Sequence, residues 1–331
     1  MTHLPTEILL LIVDSVVESD TTLVYTVSGG VTATLFNLAL TSHALRLRAT
    51  QLLYSHCLYI DSAWRLNCLL RALNTGSRNS LLARATANPA LGLFLAPFPE
   101  NDLDQPTTVR QIVELFDILA PYLTRLAIDM PLRHMWPEED YNNIRPSLRR
   151  AFEGLVNLEE FSSMRDELFL RLEPRGRPER QPPVWAMCWP KLRRLSLYNP
   201  DIASKRFLRA LWSCSGLDNV VLVRADGIDE PAPDVFLRPE SETYVSALPG
   251  PSQNLKMRFV NCAEKNQHIS TTEAMSTVAV IRDKVGRNRE FAIVITVPRR
   301  YEQVYPDEIE MCQEWVKSYF LSGRLWDVTN S

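Results

Sequence analysis

The sequence lacks the local patterns that mark most catalytic sites. There is no GxSxG turn for a nucleophilic serine, no GxxxxGK[ST] or GxGxxG loop to cradle phosphates, and no HExxH pair to hold zinc. The five histidines, His3, His43, His56, His134 and His268, are far apart, with no carboxylate or cysteine beside them in a recognisable motif. An enzyme here would need a site assembled only by folding. The six cysteines, Cys57, Cys68, Cys188, Cys214, Cys262 and Cys312, contain no CxxC and no repeated interval that would bring thiolates together on a metal. They read as small buried hydrophobes of a reducing compartment, and Cys188, flanked by Met187 and Trp189, has the apolar setting that makes a thiol inert. Charge of one sign is missing too: 36 basic residues stand against 39 acidic ones, a net charge of −3, so nothing marks the chain for nucleic acid or an anionic membrane. No Asn-x-Ser/Thr acceptor, no basic N-terminal segment and no apolar run near the ~20 residues of a membrane span occurs. These absences place the expected location in the cytoplasm, the nucleus or both, with no metal and no cofactor.

What is present is a composition of 46% hydrophobic and 23% charged residues in a chain of 331, that of an ordinary globular protein of one large domain or two. The most specific stretch is the first sixty residues. Pro5 suits the first position of a helix because its missing N–H would be unsatisfied there, and Glu7 sits on the positive end of the macrodipole. Ile8, Leu9, Leu10, Leu11, Ile12, Val13, Val16 and Val17 follow, apolar on nearly every side, where packing on one small core needs only a stripe. A second helix is expected from Thr34 through Leu35, Leu38, Ala39 and Leu40, and a third from about His43 through Leu45, Ala49, Leu52 and Leu53. Three short helices bury too little to offset their ordering entropy comfortably, which predicts a partner protein on the surplus apolar surface.

The runs LPTEILLLIVDSV and LFNLALTSHALRLRATQLLYSHCLYI resemble an F-box of the kind abundant in fungi. The resemblance implies docking on a small Skp-type adaptor that leads to a cullin-RING ubiquitin ligase. Matched residue by residue, it assigns Leu4, Pro5, Ile8 and Ile12 to a first adaptor-facing patch and Leu35, Leu38, Ser42 and Leu45 to a second. The chain departs from the family pattern in two places. The connection 17–33 is longer than usual, with Gly29-Gly30 as a turn signal, and Leu45-Arg46 stand where the family often has a tryptophan.

Beyond the box, Leu66, Leu69, Leu70 and Leu73 mark an amphipathic helix after Ser62, and Leu91, Leu93, Phe94 and Leu95 a strand stopped by Pro97 and Pro99. A loose repeat follows, in which a helix stripe leads into LxxLxL-type strands beginning at Leu123, Leu158, Leu192 and Leu217. The intervals of 35, 34 and 25 residues, by subtraction, resemble degenerate leucine-rich repeats, whose units bury their apolar faces only by stacking. Two polar, proline-rich stretches, 171–190 and 226–253, read as surface loops. Leu255, Met257 and Phe259 alternate like a strand, 278–281 is a short apolar run, and 291–297 reads as a buried strand. A last helix near Pro306, turning Ile309, Cys312, Val316 and Tyr319 inward and stopping at Gly323, is expected to cap the array.

The expected architecture is thus α+β or α/β: a three-helix F-box over 1–60, a linker helix and loop over 61–88, and an irregular leucine-rich-repeat-like strand–helix solenoid over 89–331. The implied function is that of the non-catalytic substrate-recognition subunit of an SCF-type ubiquitin ligase. On an open solenoid face, residues between the inward leucines would meet an unidentified protein target, which nominates Arg125, Arg194, Ser196, Asn219, Lys256 and Arg258. Two other readings stay open: an enzyme on an α/β domain against which the N-terminal helices merely pack, and an F-box scaffold that works without the cullin.

Overall fold

The structure is a computed structural model, and it describes residues 5–18, 23–75, 91–99, 101–177, 181–227, 255–262, 292–298, 301, 303–305 and 307–328. Its centre is an eight-stranded parallel sheet in which the strands stand in the order in which they occur in the chain. The strands are β1 (Leu58–Ile60), β2 (Leu91–Leu95), β3 (Leu123–Ile128), β4 (Glu160–Ser163), β5 (Arg194–Tyr198), β6 (Asn219–Val223), β7 (Lys256–Asn261) and β8 (Ala292–Thr296). Parallel neighbours require a crossover each time, and helices supply it. α4 (Ala63–Thr75) runs from β1 towards β2, α5 (Pro106–Leu119) joins β2 to β3, and α6 (Ile144–Glu153) joins β3 to β4. The short α7 (Val184–Met187) stands before β5, and α8 (Lys205–Ser213) joins β5 to β6.

One face of the sheet carries the repeating leucines. Leu126, Phe161, Leu195, Val220 and Met257 are paired in register across five strands, and each is almost wholly buried. They pack with Ile112 and Phe116 of α5, Leu148 and Phe152 of α6, Trp185 of α7 and Leu211 of α8 in one continuous core. An aromatic spine runs through it: Phe116 meets Phe152 edge-on at 5.1 Å, Phe152 meets Phe161 at 6.4 Å, and Phe161 meets Trp189 at 4.9 Å. The Trp189 indole N–H donates to the Phe152 carbonyl at 2.8 Å, so this large ring is buried without an orphaned donor.

The four expected strands are present: β3 starts at Leu123 as read, and β4, β5 and β6 start two residues after Leu158, Leu192 and Leu217. The linker reading of 61–88 does not match the packing: β1 lies inside the stretch assigned to the box, and α4 sends Leu66, Leu70 and Leu73 into the main core. A three-residue strand is too short to show as periodicity, which is why β1 escaped the reading. The run 278–281 and most of the acidic stretch 226–253 lie outside the described residues.

The opposite sheet face is covered as well. α9 (Glu308–Leu321) crosses it and buries Met311, Cys312, Trp315, Val316 and Phe320 against Phe94, Ala127, Met164, Tyr198, Val221 and Val260. Each such large side chain, fully buried, contributes about 1.5–3 kcal/mol. The helix is therefore an integral third layer, and the expectation of an end cap is corrected: Cys312 and Val316 do turn inward, but onto the sheet face, while Ile309 is 45% exposed. Asp307 caps α9 by accepting the Ile309 N–H at 2.9 Å, and Gly323, at φ +68°, reverses the chain behind it.

Candidate functional site

The N-terminal helices α1 (Thr6–Asp14), α2 (Gly30–Thr41) and α3 (His43–His56) enclose a small core of their own, made of Val13, Val17, Leu35, Ala39, Leu45, Ala49 and Leu52. Pro5, expected as the first helical residue, is instead the N-cap, and α1 begins one position later at Thr6. The turn expected at Gly29-Gly30 closes at Gly29, whose N–H donates to the Thr26 carbonyl at 3.1 Å, and α2 begins directly behind it at Gly30, four residues before the expected Thr34, with Gly29 as its N-cap. Ser42 caps α3, its hydroxyl accepting the Ala44 N–H at 3.2 Å.

This unit leaves large apolar side chains in water. Ile8, Leu11 and Ile12 share one face of α1 at i, i+3 and i+4, and are 42, 63 and 48% exposed. Phe36 and Leu40 on α2 are 53 and 77% exposed, and Leu47 on α3 is 46% exposed. Of the residues assigned to the adaptor, Pro5, Ile8 and Ile12 lie on the outward face, Leu38 is half-buried and Ser42 acts as a cap, while Leu4 lies outside the described residues. Leu35 and Leu45 are corrected. Both are buried in the unit's own core, where they hold the helices together, and the exposed apolar positions are their neighbours Phe36, Leu40 and Leu47. The phase of α2 was ambiguous in the sequence, because Leu35, Phe36, Leu38, Ala39 and Leu40 spread over most of its surface and leave only the narrow polar stripe Thr34, Asn37 and Thr41 to orient it.

Phe36 and Leu40 also line a mostly apolar groove of about 520 Å³ between α2 and α3 on one side and α4 on the other. α4 presents Arg65, Cys68, Leu69 and Ala72 to it, a helical stripe beside the one that enters the main core, and β1 residues also line it. Arg46 at its wall donates from Nε to the Ala39 carbonyl at 3.3 Å, and Arg65 pairs with Asp61 at 2.8 Å.

The residues nominated for a target stand elsewhere, on the sheet face under α9. Arg125, Glu160, Arg194, Asn219 and Lys256 are paired in register across β3 to β7. Glu160 accepts from Arg125 at 3.1 Å and from Arg194 at 2.6 Å, and takes a third bond from the Trp326 indole N–H at 3.1 Å. Arg258 donates to Asn219 Oδ1 at 2.9 Å and to the Val328 carbonyl at 2.8 Å. Burial pulls the Arg258 pKa below its ordinary value, with Asp327 acting against that effect. The expectation of an open strand face is corrected here. Arg125, Ser196 and Arg258 are at most 5% exposed, Arg194 and Asn219 are half-buried, and Lys256 alone among the six is exposed. The covering helix was visible in the sequence, but its destination was not.

The rim where the strands end holds a third feature. Arg145, 1% exposed, donates to the carbonyls of Leu132 and Met135 at 2.9 and 2.6 Å and to those of Phe169 and Arg171, tying two loops together. Beside it Asp166 is fully buried and accepts the Leu168 and Phe169 N–H groups through one oxygen, while the other has no partner. Burial raises its pKa. Burial likewise pushes neighbouring Glu167 up to about 7, against the pull of Arg133, which holds it by two hydrogen bonds at 2.7 and 2.9 Å.

Burial also raises the thiols of Cys214 and Cys312, to about 11 and about 12, so neither is a ready nucleophile. Among the described residues no three His, Cys, Asp or Glu side chains converge as a metal site would require, and no helix is long and apolar enough to cross a membrane. No protein family, curated protein or solved structure matches this chain.

Proposed function

We propose that this chain is the substrate-recognition subunit of an SCF-type ubiquitin ligase, with an N-terminal F-box that binds a Skp-type adaptor and a leucine-rich-repeat-like domain that holds a protein target. The observation that carries the reading is that Ile8, Leu11, Ile12, Phe36, Leu40 and Leu47 all stand in water on a unit with a very small core. Water disfavours such exposure, and a partner covering these side chains would recover the burial the unit lacks. Sequential parallel strands with helices on the leucine-bearing face support the repeat-like part. The chain would catalyse nothing itself. Its contribution would be proximity, raising the effective concentration of target and loaded conjugating enzyme.

The test is co-expression with a Skp-type adaptor, comparing wild type with Ile8→Asp/Ile12→Asp by pull-down and size exclusion. A one-to-one complex that the variant loses, while its melting temperature holds, is the expected result. A folded wild type that forms no complex would sink the reading. One observation favours a second reading, an F-box scaffold that acts without the cullin: the sheet face nominated for a target is filled by the chain's own α9. Strong adaptor recovery with cullin only at background would select it.

A further inference from the structure

The groove between α2, α3 and α4 has the size and make-up of a small-molecule site. Its volume of about 520 Å³ lies within the ~300–1,000 Å³ range of such sites. It also lies where the three-helix unit meets the sheet domain, and ligand sites are common at junctions of this kind. Phe36 and Leu40 on α2, Leu53 and Tyr54 on α3 and Leu69 on α4 give it apolar walls. Water held against such walls is disfavoured, so an apolar body that displaces it gains free energy.

The charges of the groove decide what the rest of that body must carry. Among the described residues no aspartate or glutamate lines it, whereas Arg46 and Arg65 do. Arg65 is occupied by Asp61 at 2.8 Å. Arg46 is different. Its Nε donates to the Ala39 carbonyl at 3.3 Å, which holds the guanidinium at the wall, and its two terminal nitrogens make no hydrogen bond to any other residue. Those two nitrogens form a fork that matches the two oxygens of one carboxylate, while a cationic head would meet like charge there.

We propose that this groove binds a small amphiphilic carboxylate, its apolar body lying between α2, α3 and α4 and its carboxylate on the Arg46 guanidinium. Bound there, the ligand covers the groove-facing sides of Phe36 and Leu40 and braces the three helices against the sheet domain. The receptor reading does not enter, because the ligand meets the chain alone and no adaptor is needed to detect it. The two can therefore fail separately.

The probes are dodecanoate and 2-naphthoate, which share the carboxylate and differ in the body, each titrated below any micelle-forming concentration into the full chain by calorimetry. Saturable one-to-one binding of at least one is expected, and binding of neither overturns the proposal. The cation with the same body, dodecylammonium or 2-naphthylmethylammonium, should bind at least about tenfold more weakly, the size of one charge-assisted hydrogen bond. Arg46→Gln should erase that preference and Arg46→Lys should keep it, both at the wild-type melting temperature because Arg46 is exposed. A preference unchanged in Arg46→Gln would overturn the site. Thiol labelling decides without any variant. Cys68 lines the groove and Cys188 does not, so a bound probe should slow iodoacetamide modification of Cys68 and leave that of Cys188 as it was, read by mass spectrometry. Equal slowing of both, or of neither, would overturn the site.

Discussion

The N-terminal helices and the sheet domain are built from the same kinds of residue and treat them in opposite ways. In the sheet domain both faces of the sheet are packed, so that Leu126, Phe161 and Leu195 on one side and Ala127, Val221 and Val260 on the other are essentially out of water. In the three-helix unit, Leu35 and Ala39 of α2 are buried while Phe36 and Leu40, one position further on, are more than half exposed. The difference is one of supply: a sheet with a helix layer on either face can bury most of its apolar strand residues, whereas three short helices run out of interior. Apolar residues of the sheet domain are mostly core; in the three-helix unit Ile8, Leu11, Ile12, Phe36, Leu40 and Leu47 are left in water.

The strongest way to test that contrast is to remove a large side chain from the sheet domain. Trp189→Ala should cost about 3–5 kcal/mol, because the buried ring packs on Phe161 at 4.9 Å and its removal leaves a large cavity and loses the indole hydrogen bond to the Phe152 carbonyl. Urea unfolding measures it. A loss below about 1 kcal/mol, the size expected of a half-exposed site, would mean that the aromatic spine is not the rigid core described.

How much of this was legible beforehand depended on where a residue's partners lie along the chain. Leu123, Leu126 and Ile128 and their counterparts repeat within each unit, so period and burial could be read directly, and these three are buried as read. The three-helix unit was legible for the same reason, apart from the phase of α2. What could not be read was long-range docking. Nothing local to residues 308–321 says that they lie on Phe94 and Val221 rather than at the array's end, and Arg125 looks like a solvated strand residue until Phe320 is placed 5.7 Å over its guanidinium. The ion-paired row was missed because its partners, Glu160 and Trp326, are 35 and 166 residues from the groups they meet.

The rim sharpens the comparison by pH. Glu167 takes up a proton near pH 7 in the folded protein and near its ordinary 4.5 when unfolded, and burial moves Asp166 in the same direction. The folded state therefore binds the proton more tightly. The stabilisation is complete below the unfolded value and is lost as pH rises through about 7. Urea midpoints should fall between about pH 5 and pH 8, and Glu167→Gln should flatten that fall. An unchanged slope in the variant would show that the Arg133 pair keeps Glu167 ionised throughout. The three-helix unit has no comparable buried carboxylate among the described residues, so the decline should follow sheet-domain probes first.

The smallest expected effect on stability is the most informative about the first region. Leu40→Ser with Leu47→Ser removes two large apolar groups that already stand 77 and 46% exposed, so the unfolding free energy should stay within about 0.5 kcal/mol of wild type. Each lost contact with water is a gain for the free chain, while a bound partner would lose packing area at both positions. Solubility of the isolated chain should therefore rise as adaptor capture falls. Destabilisation by more than about 1 kcal/mol, measured by urea unfolding without adaptor, would show that these side chains are packed within the chain itself. That outcome would move the three helices to the same side of the comparison as the sheet, and would favour a domain whose N-terminal helices serve its own core.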